Sequence, residues 1–436
     1  MSIRESVAQI LARAFVDARW DREALLERCD SVFGKTPRWC GPFVDRLLTH
    51  FPISPPSERL VSVIRADEGF GRARLGRSVS YWATTSMGQM RPALPVQIEI
   101  PSLCTTRELA EWFGITISEL DWFADLKAFS GKRSAEKLLH YRYRMLAKRF
   151  GAVRLIEAPK PRLMAIQRQV LRRILDHVPP HDAAHGFRAG RSIVTFAAPH
   201  VGQAVVARLD LKDFFPTVTL ARVAALFRAI GYPHPVAKLL AGLCTSVAPT
   251  HTWENCEPPH TREQLQTVRS LYGVPHLPQG SPTSPAIANL CAYRLDCRLT
   301  GLARSAGANY SRYADDLAFS GDAEFARHAK RFMVHVAATV AEEGFVVHHH
   351  KTRIMRDGVC QHLAGVVVNR RTNLRRSDYD RLKAILVNCR RHGALDQNRL
   401  LHPDFRAHLR GRVAFVAQLH PQRGQRLLEL FNGINW

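Results

Sequence analysis

The chain has 436 residues, 46% of them hydrophobic and 23% charged, a balance that suits an ordinary globular protein of two or three domains. Its formal net charge of +24 is not ordinary: it predicts a polyanionic partner, for which a phosphate backbone is the obvious candidate. No apolar run approaches the roughly 18–20 residues that span a bilayer, and the N-terminus (Arg4, Glu5, Asp17, Arg19) is amphipathic rather than a signal peptide.

Residues 1–50 carry helical periodicity, with Val7, Ile10, Leu11, Ala14 and Phe15 on one face, and the stretch Pro52 to Ser57 interrupts it. Gly69 to Pro95, rich in Gly, Arg and Ser, reads as a linker. Thr105 and Glu108 have capping-box spacing, and two short helices around Gly114 follow up to Ala124. A plain helical hairpin is the expectation there, with a DNA-reading helix-turn-helix as the alternative. Beyond Tyr141, strands and helices mix without a repeat. Arg154–Pro159 and Val205–Leu211 read as strands, and Met164–Val178, Leu220–Ile230, Pro285–Gly301 and Ala323–Glu343 as helices. Val346-Val347 and Val366–Val368 read as further strands, and the tail from Ser377 as basic helix. That mixture predicts an α+β core.

Nine scattered cysteines without a CxxC pair make neither a disulfide framework nor a zinc ribbon, so a reducing cytoplasm is expected. His348-His349-His350 with Cys360 and His362 matches no standard zinc spacing. Charge is concentrated: Lys132 to Arg191 holds 15 Lys and Arg against 4 Asp and Glu, and Arg370 to Trp436 holds 14 against 5. Two basic regions on either side of an acidic site suit a nucleic-acid channel.

The acidic site is Tyr313-Ala314-Asp315-Asp316, where two strand-like runs meet at a tight turn. Adjacent carboxylates held at an exposed hairpin tip repel unless a cation neutralises them, and hard oxygen donors favour Mg²⁺. A polar turn is the plainer reading, because Asp is a common turn residue. Nucleotide polymerisation needs two metal ions about 4 Å apart, and hence a third carboxylate. Asp210, at the end of an apolar strand and ahead of Phe214-Phe215, is the natural candidate, since a lone buried charge is costly. Thr217 and Thr219 would instead cap the following helix and leave Asp210 unexplained.

These segments occur in the order of a reverse transcriptase: Asp210 with Phe214-Phe215, Leu277 to Pro285 (LPQGSPTSP), Tyr313 to Asp316, and Lys351-Thr352. The resemblance runs from about Thr105 to the C-terminus. His185 to Ser192 (HGFRAGRS), Ala197-Ala198-Pro199-His200-Val201 and YADDLAFS resemble the bacterial retron type. Two positions depart from that type: Phe196 stands where an Asn is typical, and Leu363-Ala364-Gly365 where Val-Thr-Gly is usual. Both positions are linked in the family to recognition of the cognate RNA.

The resemblance implies a right-hand polymerase fold with fingers, a ferredoxin-like palm and a helical thumb. Residues 1–100 would be a mostly helical extension with a linker, 101–204 the fingers and N-terminal helices, 205–369 the palm, and 370–436 a basic thumb. It also implies roles. Asp210 and Asp315 would bridge two Mg²⁺ ions, for which Mn²⁺ can substitute, with Asp316 in support. Phe215 would collide with a ribose 2′-OH, Gln279 would contact the incoming deoxynucleoside triphosphate, and Gly280 would allow close backbone approach. Arg154 and Lys148 would grip the triphosphate, and Lys351 would be a proton donor to pyrophosphate. Arg162, Arg188, Arg191, Arg375 and Arg376 would contact nucleic acid, with Arg142, Arg144, Arg168, Arg172 and Arg173 along a template path. The implied partners are a structured non-coding RNA that serves as template and primer, its DNA product, and an effector protein in antiphage defence. The alternatives are another bacterial reverse transcriptase, defence-type or group II intron-derived, and a catalytically silent RNA-binding scaffold for a toxin.

Overall fold

Local signals set most element boundaries in the computed structural model, which describes residues 3–16, 18, 20–33, 36–73, 99–132, 136–147, 153–253 and 262–436. Helices α1 (Ile3–Val16), α2 (Arg22–Phe33), α3 (Cys40–His50), α4 (Ser57–Ala66) and α5 (Glu68–Arg72) open the chain. They close on one core that includes Leu11, Phe15, Leu25, Phe43, Leu47 and Leu60. The expected linker is corrected at its start: Asp67 caps α5 by accepting from the Phe70 amide, and residues 74–98 lie outside the described residues. Next come α6 (Thr106–Phe113) and α7 (Ile117–Ala124), a helical pair in which both ends were legible. Thr105 and Thr116 each form a full capping box, and Gly114 ends α6 at φ +67°.

The antiparallel pair β1 (Tyr141–Ala147) and β2 (Val153–Pro159) precedes α8 (Pro161–Arg173) and the short α9 (Ile193–Ala197). Arg142 and Arg144 lie on β1, where alternation turns Tyr141 inward. Strand β3 (Val205–Asp210) leads to α10 (Leu220–Ile230), α11 (His234–Cys244) and α12 (Arg262–Tyr272). Thr219 precedes α10 without a side-chain cap, and the Thr217 hydroxyl donates to the Phe214 carbonyl, so the capping alternative for this stretch fails. The expected Pro285–Gly301 helix is two helices, α13 (Ser284–Cys291) and α14 (Tyr293–Ser305).

Strands β4 (Asn309–Tyr313) and β5 (Asp316–Gly321) form the hairpin, followed by α15 (Ala323–Glu342), β6 (Arg353–Arg356), β7 (His362–Leu363) and β8 (Val366–Val367). Val346-Val347 is not a strand; Val347 makes a single bridge to Leu211. The tail is α16 (Arg376–His392), α17 (Phe405–Leu419) and α18 (Pro421–Asn432), joined through Leu386, Leu409, Val413 and Leu427. No helix among the described residues is long and apolar enough to cross a membrane.

The chain divides into two units. One comprises Met1–Val178 and Val218–Ser284, and the other Pro179–Thr217 and Pro285–Trp436. The second unit is built on an antiparallel sheet in the order β4-β5-β3-β6, with α15 packed on it. Register pairs Asp210 with Asp316 and Tyr313 with Asp316. Both positions that depart from the retron pattern belong to this unit. Phe196 is fully buried with Val206, Ala318, Leu363 and Val366, so its ring serves as core. Leu363 is buried too, while Ala364 (φ +45°) and Gly365 (φ +87°) make the β7–β8 turn.

Candidate active site

Strand register and one tight turn bring Asp210, Asp315 and Asp316 to the same end of the β3–β5 ladder. The Leu211 amide donates to the Asp315 carbonyl at 2.9 Å, and the His348 amide to the Asp210 carbonyl at 2.7 Å. The turn is Ala314-Asp315, with Ala314 buried and at φ +55°. An exposed tip was expected; instead Asp316 begins β5, and the turn is covered. Its cover is the segment Ala183–Phe187: His185 N–H donates to the Arg312 carbonyl, and Arg312 N–H to the Ala183 carbonyl. Gly186 is obligatory there, since a Cβ would sit 2.7 Å from the Ala314 nitrogen.

The carboxylates differ in their partners. Lys351 Nζ donates to both oxygens of Asp210, at 2.8 and 3.0 Å. Arg208 donates through Nε and Nη2 to one oxygen of Asp316, at 2.9 and 2.6 Å. Asp315 has burial and the charges of Asp210 and Asp316 against it, which push its pKa up to about 6. Asp316 is raised as well, burial outweighing Arg208. Among the described residues no three Asp, Glu, His or Cys side chains already converge at ligand spacing. Three hard carboxylates with mutual repulsion are nevertheless a donor set that a divalent cation fits.

Beneath the turn lies a polar network that sequence reasoning missed. Arg312 and Asp296 are both fully buried, paired through Nε–Oδ1 at 2.8 Å and Nη2–Oδ2 at 2.6 Å. Arg312 Nη1 donates to the Ala314 carbonyl at 3.0 Å and to Asn289 Oδ1 at 2.9 Å, and Asn289 Nδ2 donates to the Gly186 carbonyl at 2.8 Å. An Arg in the strand just before the motif was the available signal; nothing in the sequence pairs it with Asp296. His200 of the Pro-His segment, also buried, joins β4 to β5 through Ser311 and Ser320, both at 2.7 Å. Burial lowers its pKa to about 3. Phe215, half-buried, meets Phe214 and Phe187 edge-on at 5.8 and 6.1 Å.

The other unit holds Arg154, Gln279 and Gly280. Arg154 points outward from β2, whose inward face carries Leu155 and Glu157. The Gln279 carbonyl accepts from the Glu157 amide at 2.8 Å, and a Cβ on Gly280 (φ +135°) would lie 2.8 Å from the Glu157 carbonyl oxygen. Only glycine fits. Ser281 donates to Gln167 Oε1 at 2.8 Å, and Gln167 Nε2 donates to Tyr141 and to the Leu243 carbonyl. Glu157 and His276, both fully buried, pair at 2.8 Å, and His276 Nδ1 faces the Val274 carbonyl at 2.8 Å. Burial pulls His276 down in pKa, and Glu157 more than reverses it. Gln279 Oε1 is buried without a hydrogen-bond partner.

The remaining expected residues are dispersed. Lys148 lies outside the described residues. Arg162 is engaged by Glu119 at 2.7 Å and lies over Phe123. Arg188 pairs with Asp182 at 3.4 Å, Arg376 with Asp380 at 3.6 Å, and Arg191 and Arg375 are exposed.

Comparison with known proteins gives this geometry a family. The reverse transcriptase (RNA-dependent DNA polymerase) profile matches residues 146–378. The retron Mx65 reverse transcriptase of Myxococcus xanthus is 40% identical over 81% of this chain and 79% of its own length. The retron Mx162 enzyme of the same organism is 36% identical over 76% and 67%, and the retron Ec86 enzyme of Escherichia coli 28% identical over 63% and 75%. Family membership brings with it the right-hand polymerase fold and the use of divalent metal ions. The chain belongs to the retron-type reverse transcriptases and is an RNA-directed DNA polymerase.

Proposed function

We propose that this enzyme copies a structured non-coding RNA into DNA by two-metal-ion nucleotidyl transfer, priming from a hydroxyl of that RNA, in the cytoplasm and as part of an antiphage defence system with an effector protein. The observation that supports the mechanism is that Asp210, Asp315 and Asp316 lie at one end of a sheet, with Asp315 destabilised as a carboxylate by burial and then by its two neighbours. In this reading those three residues hold two Mg²⁺ ions, or Mn²⁺ in their place, which would activate the attacking hydroxyl and neutralise the triphosphate. Asp210 and Asp315 would hold the ions, with Asp316 in support.

The chain's own residues do the rest. In the roles that the family implies, Arg154 and Lys148 would take the β- and γ-phosphates, Gln279 would contact the nucleotide, and Gly280 would keep the backbone free of a side chain. The primer hydroxyl loses its proton to solvent as its oxygen bonds to the α-phosphorus and the bond to pyrophosphate breaks, and Lys351 would supply the proton that pyrophosphate takes up. Phe215 excludes a 2′-hydroxyl. We assign the β3–β6 sheet with its helices, within 205–369, to the palm, 101–204 to the fingers, 370–436 to the thumb and 1–100 to an added helical region. The exposed Arg191 and Arg375, with Arg188 and Arg376 in weak surface pairs and Arg162 if released from Glu119, follow the nucleic-acid backbone.

Primer extension with Mg²⁺ on a structured RNA tests this reading. Asp210→Asn and Asp315→Asn should each abolish DNA synthesis while RNA binding, read by gel shift, survives. Undiminished synthesis in either variant refutes the metal assignment.

A further inference from the structure

We propose that Phe187 sets sugar selectivity by bracing Phe215, an inference that rests on reading Phe215 as the residue that excludes a 2′-hydroxyl. Phe187 is 51% exposed yet sits at φ +57°. A left-handed backbone is strained for phenylalanine, and a ring half in solvent returns little of that cost through burial. Its backbone is nonetheless fixed. Gly186 lies against the Ala314 nitrogen with no room for a side chain, and the Gly186 carbonyl is held by Asn289, itself held by the buried Arg312. The strain is thus maintained by the same frame that shapes the catalytic turn.

The ring that this frame presents meets Phe215 edge-to-face at 6.1 Å and Tyr313 at 6.4 Å. On another flank Phe215 rests on Phe214 at 5.8 Å. Phe214 is buried against Phe345 at 5.5 Å, with the Arg312 guanidinium 5.8 Å from its ring centre. Phe215 therefore packs edge-on against both a buried ring and an exposed one. Excluding a single hydroxyl by bulk works only if the wall does not yield, and a ring free on one side can turn away. Phe214 supplies the fixed flank and Phe187 the other.

The test is single-nucleotide incorporation on an RNA template-primer, comparing kcat/KM for a deoxynucleotide with that for its ribonucleotide in four full-length variants. Phe187→Ala should lower the deoxy-to-ribo ratio about three- to tenfold, the worth of one aromatic pair. Phe187→Tyr should keep the ratio within about twofold of the parent, and Phe187→Leu, of similar bulk without a flat ring, should fall between. Phe215→Ala should lower it further than any of these. If Phe215→Ala loses selectivity while Phe187→Ala and Phe187→Leu keep it, the bracing role is overturned and the reading of Phe215 stands. An unchanged ratio with both nucleotides slowed equally overturns it too, leaving Phe187 a merely structural residue. If Phe215→Ala itself leaves the ratio unchanged, the reading of Phe215 is wrong and this inference goes with it.

Discussion

Asp296→Ala is the most severe single change that the catalytic unit predicts outside its carboxylates. Asp296 receives Arg312 through two hydrogen bonds of 2.8 and 2.6 Å, and the Tyr310 hydroxyl through a third of 2.8 Å. Arg312 and Asp296 are both inaccessible to solvent, so removing the carboxylate strands a guanidinium that cannot shed its charge. Breaking a buried pair in this way costs about 3–5 kcal/mol. For a unit the size of Pro179–Thr217 with Pro285–Trp436, each kcal/mol moves Tm by roughly 2–4 °C, so a fall of about 6–20 °C is expected in scanning calorimetry. The double variant Asp296→Leu with Arg312→Met removes both charges and should recover more than half of that loss. It should still polymerise poorly, because Arg312 also holds the Ala314 carbonyl and Asn289. A drop below about 1 kcal/mol in Asp296→Ala, or a double variant as unstable as the sum of the singles, would refute the buried-pair account.

Three further outcomes follow from other parts of the molecule. His200 is neutral in the fold because its pKa is depressed to about 3, so its contribution is complete above the unfolded value of about 6.5 and is lost as pH falls toward 3. Denaturation midpoints between pH 7 and 4 should therefore be flatter in His200→Gln, and equal slopes would discount this histidine. Glu157→Gln leaves a buried His276 without its counter-charge next to the Gln279-Gly280 backbone, so KM for the incoming nucleotide should rise about three- to tenfold with little change in kcat. An unchanged KM would detach the pair from nucleotide binding. RNA affinity should drop steeply between low and moderate salt, read as the slope of log K against log salt, and a flat dependence would contradict a phosphate-tracking surface.

What was legible in the chain was local. The capping-box spacing at Thr105 and the break at Gly114 set α6, the apolar run ahead of Asp210 set β3, and the strand-like runs on either side of the Asp pair set β4 and β5. What was not legible depended on burial by distant segments. Strand β1, with Tyr and Arg side by side, was not read as an element, because its burial against β2 and the Leu243–Val247 region is a tertiary fact. Helix α11 is apolar on nearly every side, so it offered no amphipathic stripe to recognise. The catalytic turn read as exposed because a turn of Ala and Asp gives no hint that Gly186 lies against it. The three carboxylates that the sequence singles out do share one end of the sheet, since an Asp ending a buried strand and an Asp pair at a hairpin are locally expensive. Their supports Arg312, Asn289 and Asp296 come from three different elements and carry no local signature.

The distribution of positive charge at the catalytic turn connects fold to chemistry. Three carboxylates at one sheet end repel each other by several kcal/mol at an effective dielectric near 20, which would oppose folding if left uncompensated. Arg208 and Lys351 offset two of the three, so the turn can form without help from a bound ion. The two cations are not equivalent. Arg208 lies on β3 itself, is only 25% exposed, and makes two hydrogen bonds to one Asp316 oxygen, which makes it a fixed part of the sheet. Lys351 sits in a short turn, is 52% exposed, and reaches Asp210 with a single flexible ammonium. The cation that can leave its carboxylate is therefore the one whose proposed role calls for movement: under the function proposed above, Lys351 would have to release Asp210 before that carboxylate could hold an ion and before its own protonated amine could reach a departing pyrophosphate.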